Sequence, residues 1–594
     1  MTFDRHVAPI LFDRCAVCHR PEGAAPFALL TYDDARRRAR QIVEVTASGY
    51  MPPWLPAPGR GEFVGERRLA EAERSTLRRW LEQGTPPGDA PEAVVAPRFD
   101  SGWTLGPPDL ELAMTEAFTI PASGPDVYRN FVLPVPIDRT RYVRAVEFRP
   151  GSPTTVHHAR VLLDPTPVSR QRDAESPAYG FAGMDSGAAA APDGHLLGWT
   201  PGKVPAAAPA DLAWRLDPGD DLVLQLHMVP SGKPESIQAS IGLYFTDRRP
   251  TRRAYALILG SREIDIPAGA AAHVVRDRYE LPIDVEALAV YPHAHYIARE
   301  MRVWAELPTG ERRWLIHIPE WDFNWQDEYR FARGVSIPRG SALVMEFVYD
   351  NSADNVRNPS SPPRRVRYGA NSTDEMAEVM IQVLPAGEAE RARLEDDFER
   401  FRVQKAIAYR QERLAADPLD AASHAALASS YLYLGQAALA VPHLEAALRI
   451  GPESAGLHQN LGYALRRAGR VDEAARHYRR ALELAPDSAE AAFDLAQIFR
   501  ERGQAEQALA LYRRVLRLRP ESARTCVAIA ELILDDSRPA AEEIAEAVRM
   551  AELAVRLSRG RDRATLELLA TAYDAAGLPD RAREVRATLP PTAN

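Results

Sequence analysis

Cysteine is scarce: of three in 594 residues, Cys15 and Cys18 share one five-residue motif and Cys526 stands alone, which excludes a disulfide framework. Long hydrophobic runs are missing, and no stretch approaches the roughly 18 apolar residues that a membrane-spanning helix requires. The opening M-T-F-D-R-H-V-A-P-I has no apolar h-region, so no secretory signal is visible in it. Basic excess is absent as well. A net charge of −9 gives no reason to expect nucleic-acid binding. The remaining composition, 46% hydrophobic and 26% charged, is that of a globular protein with room for about three or four domains.

What cysteine there is carries information. Cys15-Ala-Val-Cys18-His19 is a C-x-x-C-H sequence, the attachment site of c-type haem. Two thiols on one helical turn can add to the haem vinyl groups, and His19 follows as the axial imidazole. A second axial ligand is expected from Met51 in G-Y-M-P-P-W, with His6 as the alternative. Leu77, Trp80 and Leu81 recur at helical spacing and predict a closing amphipathic helix. Residues 1–88 therefore resemble a small all-α class I cytochrome c domain. The proline-rich stretch that follows, over 89–110, reads as a semi-rigid linker holding that domain at a limited distance from the next.

From 111 to 390 short alternating runs are broken by Pro, Gly and Asp, the pattern of β-sandwiches. On one strand Leu222, Leu224 and Leu226 share a face, and Val223, Gln225 and His227 share the other. In P-H-A-H the spacing of His293 and His295 puts both imidazoles on one strand face, half of a copper or zinc site. His157 and His158 are adjacent, so a regular strand would point them apart. For both to reach one metal, the strand must twist, bulge or end there. The alternative is that one of them is a core histidine.

V-H-H-A at 156–159, L-Q-L-H at 224–227, P-H-A-H at 292–295 and D-E-M at 374–376 occur in an order that resembles the copper type II, ascorbate-dependent monooxygenases. This is the family of dopamine β-monooxygenase and peptidylglycine α-hydroxylating monooxygenase. W-T-P-G at 199–202 and W-D-F-N-W-Q at 321–326 add to the likeness, although the latter run reads first as packing. The resemblance implies two jelly-roll-like sandwiches, 111–250 and 251–390, each holding one copper across a solvent-filled cleft. By motif match His157, His158 and His227 hold the electron-storing copper. His293, His295 and Met376 hold the catalytic one, where dioxygen and substrate meet. A soft thioether also favours Cu(I), the form that must bind dioxygen. His195, His273 and His317 match none of these motifs and are read as structural or as residues that support the ligands from behind.

Beyond 400 the composition shifts to Ala, Leu, Arg and Glu. Pro418, Pro452, Pro486 and Pro520 recur every 34 residues, and so do Gly435, Gly469 and Gly503. Ala440, Ala474 and Ala508 keep the same period, as do Leu444, Tyr478 and Tyr512. That is the tetratricopeptide period, and 400–594 is predicted to be an α-solenoid with a capping pair near 561–590 and Cys526 buried.

The expected activity is that of a dicopper monooxygenase hydroxylating an activated C–H bond of a small organic or peptide substrate with dioxygen. Electrons are expected through the fused haem, with ascorbate in its place or alongside, and a protein partner is expected on the repeats. The rival class is a non-catalytic haem and copper electron carrier ending in an interaction module. Haem attachment and copper loading place the expected site of action in the periplasm or cell exterior, so the start shown is expected to be mature or truncated.

Overall fold

A computed structural model describes the chain except for residues 22, 24, 89–94, 98–102, 153–154, 537, 559–561 and 590–594. The described chain divides into two compact units, Met1–Phe398 and Glu399–Asn594. Half of the predicted linker, residues 89–94 and 98–102, lies outside the described residues.

The first unit begins with helices Ala8–Arg14, Tyr32–Arg37, Ala39–Ala47 and Glu71–Glu82. They close on one core of Val7, Leu11, Leu29, Ile42, Leu77 and Trp80. Thr31 starts the second helix with a reciprocal capping box, its hydroxyl taking the Asp34 N–H while the Asp34 carboxylate takes the Thr31 N–H. The Trp80 indole donates to the Pro86 carbonyl at 3.0 Å. Phe3 and Asp4 donate their backbone N–H groups to the Pro86 and Pro87 carbonyls, so the residues just ahead of the proline-rich stretch are folded back on the helices.

Two antiparallel sandwiches follow. In the first, a sheet ordered Leu110–Ala113, Ser240–Thr246, Arg141–Arg149, Trp214–Leu216 faces a five-stranded one. The latter is ordered Phe181–Ala182, Val127–Pro134, Asp221–Met228, Val156–Asp164, Gly198–Trp199. Val143, Trp214 and Ile241 from one sheet meet Phe131, Val161, Leu222, Leu224 and Leu226 from the other. The opposite face of Asp221–Met228 is also covered: Val223 packs with Leu162, Phe181 and Ala189. The second sandwich pairs the sheet Tyr255–Gly260, Glu378–Pro385, Val285–His293, Tyr329–Ile337 with the sheet His273–Glu280, Ala342–Tyr349, Ala298–Glu306, Arg312–Ile318.

The helical segment touches the sandwiches directly through its loop 54–67. Phe63 bridges to Phe331, Val64 donates to the Arg330 carbonyl, and Ala332 donates to that of Glu62. Trp54 lies edge-on to Tyr329 at 5.5 Å, and Phe63 stacks on Phe331 at 5.3 Å. The segment is docked as an extra edge of the second sandwich.

In the second unit, helix pairs begin at Ala421–Tyr433 and Ala437–Ile450 and repeat at Ala455–Arg467 with Val471–Leu484, and at Ala489–Glu501 with Ala505–Leu518. Ala523–Leu534 with Ala541–Leu557, and Arg563–Ala575 with Pro579–Ala587, complete it. Gly435, Gly469 and Gly503 take φ of 72°, 81° and 71°, the left-handed turn that ends each first helix. Leu444, Tyr478 and Tyr512 are fully buried in the groove between helices, and Cys526 is buried as expected. A Cβ on Gly462 would lie 2.9 Å from the Tyr478 ring. Gly462→Val should therefore cost about 1–3 kcal/mol through overpacking, read as a lowered unfolding midpoint of the helical signal.

Candidate functional site

The ladder between Val156–Asp164 and Asp221–Met228 sets His158 directly opposite His227, with a register shift between Val156 and His158. His157 occupies that bulge. The extra residue breaks the strict alternation of the strand and lets two adjacent imidazoles serve one place. His157 Nδ1 lies 3.3 Å from His158 Nδ1, and His227 Nδ1 lies 3.3 Å from it as well. Among the described residues these three are the one group of three or more His, Cys, Asp or Glu side chains whose donor atoms all fall within 4.8 Å.

The second nitrogen of His227 settles its tautomer. Nε2 donates to Asp126 Oδ2 at 3.0 Å, which leaves Nδ1 as a lone pair facing the other two rings. Tyr128 stacks on the same ring at 4.2 Å and 5°. Asp126 also takes a hydrogen bond from Ser372, and its own pKa is lowered even though burial raises it, because His227 and Ser372 hold the charged form. Burial drives His157 down to about 3 and His158 well below its ordinary value. These rings stay neutral, the form that can ligate a metal.

His293 and His295 stand at the end of Val285–His293 and just beyond it. His293 Nδ1 is 2.5 Å from Gln326 Oε1, and His295 Nδ1 donates to the Asp374 carbonyl at 3.2 Å. His295 Nε2 is then a lone pair, buried and without any hydrogen-bond partner. His157 Nε2 is orphaned in the same way. Such atoms cost free energy unless something pairs with them, and the buried lone pair of His295 Nε2 is a donor of the kind a metal ion takes. Burial pushes His295 down to about 3 and lowers His293 too.

Met376 is buried, 3% exposed. His293 faces Glu378 in the last pair of the ladder, and Met376 and His295 lie just beyond its end. The Glu375 carboxylate fastens the two segments, taking the N–H of His295 at 2.7 Å, of Met376 at 3.0 Å and of Ile297 at 3.2 Å. Burial raises Glu375 to about 8 against those donors.

The expected solvent-filled cleft between the two donor sets is corrected. The rings of His158 and His293 are only 6.2 Å apart. Phe323 sits among them, stacked on His157 at 4.5 Å, edge-on to His295 at 5.5 Å and tilted against Tyr296 at 4.6 Å. Trp321 is fully buried and its indole donates to the His295 carbonyl at 3.1 Å. The aromatic run at 321–326 is thus more than packing within its own sandwich. It joins the two histidine sets.

The C-x-x-C-H sequence forms a tightened turn after Ala8–Arg14, with the His19 N–H on the Cys15 carbonyl at 2.9 Å. His19 Nδ1 donates to the Phe27 carbonyl at 3.1 Å, which frees Nε2. Both thiols are free, and burial raises Cys15 to about 12 and Cys18 above its ordinary value. The Gly202 backbone comes so close to Cys18 that a Cβ there would lie 2.8 Å from Sγ. Met51 lies in the turn after Ala39–Ala47, its N–H on the Val45 carbonyl. Its neighbour Tyr50 is edge-on to Trp325 at 6.4 Å. His6, the other axial candidate, uses Nδ1 to accept the Thr2 N–H.

His195 is buried and driven to about 4 by that burial, and His317 pairs with Glu300 at 2.8 Å. Neither joins the donor sets. Asp126, Phe323, Gln326 and Glu375 escaped the sequence reading as individual residues. Gln326 and Glu375 lie inside motifs that were recognised, whereas nothing around Asp126 marks it.

The tetratricopeptide repeat family matches residues 452–521. No curated protein matches the chain. Similar solved structures include YrrB, described as a TPR protein with an unusual peptide-binding site, 21% identical over 30% of this chain and 84% of its own, with a TM-score of 0.25. MamA 41-end from Desulfovibrio magneticus RS-1 is 17% identical over 28% of this chain and 91% of its own, with a TM-score of 0.26. The helical C-terminal region carries tetratricopeptide repeats, and a large β-rich region precedes it.

Two outcomes are expected. Asp126→Asn should weaken metal binding by about 10–100-fold, measured by chelator competition, because it loosens the His227 tautomer. His295 titrates near 6.5 when unfolded and near 3 when folded, so the unfolded chain binds the extra proton between those values. The metal-free protein should therefore hold this stability above about pH 6.5 and lose about 1.4 kcal/mol per pH unit per such group as pH falls below it. Urea midpoints from about pH 7.5 to 5 measure the slope, which His295→Ala should flatten.

Proposed function

We propose that the chain is a copper-dependent monooxygenase with its own covalent haem, acting on an activated C–H bond of a small organic or peptide substrate with dioxygen. The observation that carries the reading is the set of five clustered histidines, His227 and His295 buried and the other three half-buried, with three Nδ1 atoms converging at one end and an unpartnered His295 Nε2 at the other. His157, His158 and His227 would hold one copper, and His293, His295 and Met376 the other. Copper so held supplies one-electron redox chemistry and dioxygen activation.

The protein's share is positional. Asp126 orients His227, Gln326 orients His293, and the Asp374 carbonyl orients His295. Phe323 fills the space among the rings and keeps bulk water from it. Cys15, Cys18 and His19 would hold the haem, with Met51 as second axial ligand and ascorbate as an alternative source of electrons. Such maturation belongs to the periplasm or cell exterior. The repeats would supply a protein partner's docking surface.

The test is elemental analysis with a pyridine-haemochrome spectrum on protein matured in a periplasm. Two coppers and one covalent haem per chain are expected, and a chain without copper would overturn the reading. His295→Ala should lower substrate-dependent dioxygen consumption by more than about 100-fold, beyond the 10–100-fold range of outer-shell partners, while the three-histidine copper remains by electron paramagnetic resonance.

A further inference from the structure

The second unit holds a histidine arrangement unconnected with the site above. His424 and His443 face one another across the first repeat, with Nδ1 atoms 2.9 Å apart and ring centroids at 5.1 Å. One period later His458 and His477 repeat the contact, with Nδ1 atoms 2.8 Å apart and centroids at 5.1 Å. The first ring of each pair has its other nitrogen committed. His424 Nε2 donates to the Pro418 carbonyl at 3.2 Å, and His458 Nε2 to the Glu453 carboxylate at 2.8 Å. Each therefore presents Nδ1 as a lone pair to its partner.

The fold does not demand histidine at these places. The third repeat has Ala492 and Leu511 at the corresponding positions, and both pack in the apolar core. Replacing a buried polar pair by apolar groups of fitting shape is close to neutral for stability. The imidazole pairs are thus an addition to the repeat rather than a requirement of it.

We propose that the first two repeats each bind a monovalent copper ion between the paired Nδ1 atoms. Neither pair belongs to a group of three donors among the described residues, so each offers two neutral imidazoles and no more. Zinc asks for about four ligands, whereas d¹⁰ copper(I) accepts two in a near-linear array. With metal–nitrogen distances of about 2 Å, the rings must part by roughly 1 Å from their hydrogen-bonded separation. His443 and His477 each carry the bridging hydrogen on Nδ1 in the metal-free state. On binding it moves to Nε2 of the same ring, so the neutral pair releases no net proton and no electron is transferred.

The experiment uses the full chain, titrated anaerobically with copper(I) against a chromophoric chelator. Its comparator carries His424→Ala, His443→Leu, His458→Ala and His477→Leu, which copy the third repeat. Wild type should hold two more copper ions per chain than this variant, and removing one pair alone should lose one. Unchanged helical circular dichroism and melting show that the variants fold. Equal copper stoichiometry would overturn the proposal, leaving the pairs as interhelical hydrogen bonds. Stoichiometric loss of zinc(II) binding with copper(I) unaffected would overturn the monovalent assignment. Because the reading is a difference confined to the repeats, it stands or falls independently of copper in the sandwiches.

Discussion

A carboxylate with no cation beside it among the described residues organises the H-x-H end of the β-rich region. Glu375 is fully buried and takes backbone N–H groups from both sides of the gap between the H-x-H segment and Met376. Desolvation opposes its charge, and the convergent donors oppose that penalty in turn. The N–H groups of His295 and Met376 lie just beyond the end of the ladder, and the Glu375 carboxylate takes the place of a strand partner for them. The separation of His295 from Met376 follows from this clamp. The Ser372 contact of Asp126 then carries the order across to His227 in the other sandwich.

Much of this was legible because periodicity and burial agree. The alternation of Leu222, Leu224 and Leu226 against Val223, Gln225 and His227 gave the strand and its two faces, and the structure differs only in covering both. Adjacent His157 and His158 called for a twist, a bulge or a strand end if both were to serve one place, and the fold uses a bulge. The 34-residue period foretold the helix pairs, their glycine turns and the buried Tyr478 and Tyr512.

What stayed hidden is contact between segments distant in sequence. Asp126 is one acidic residue among many, and its meaning comes from a ring 101 positions later. Phe323 looked like one more core aromatic until the fold placed it against histidines of both sandwiches. The closeness of His158 and His293 depends on how the two sandwiches pack, which neither strand pattern encodes. The docking of the helical segment stayed out of sight for the same reason. Proline-rich composition reports stiffness, whereas Phe63, Val64 and Trp54 report attachment only once Phe331, Arg330 and Tyr329 are known to be near.

The docked loop has a consequence for solubility. Tyr329–Ile337 is the last strand of its sheet, and its outer side presents unpaired amides and carbonyls to whatever chain comes near. Residues 62–64 satisfy part of that row, and two aromatic rings cap it. A fragment trimmed to the sandwiches alone would uncover a template for strand addition and invite self-association. The N-terminal segment thus covers part of an edge that would otherwise be open to strand addition.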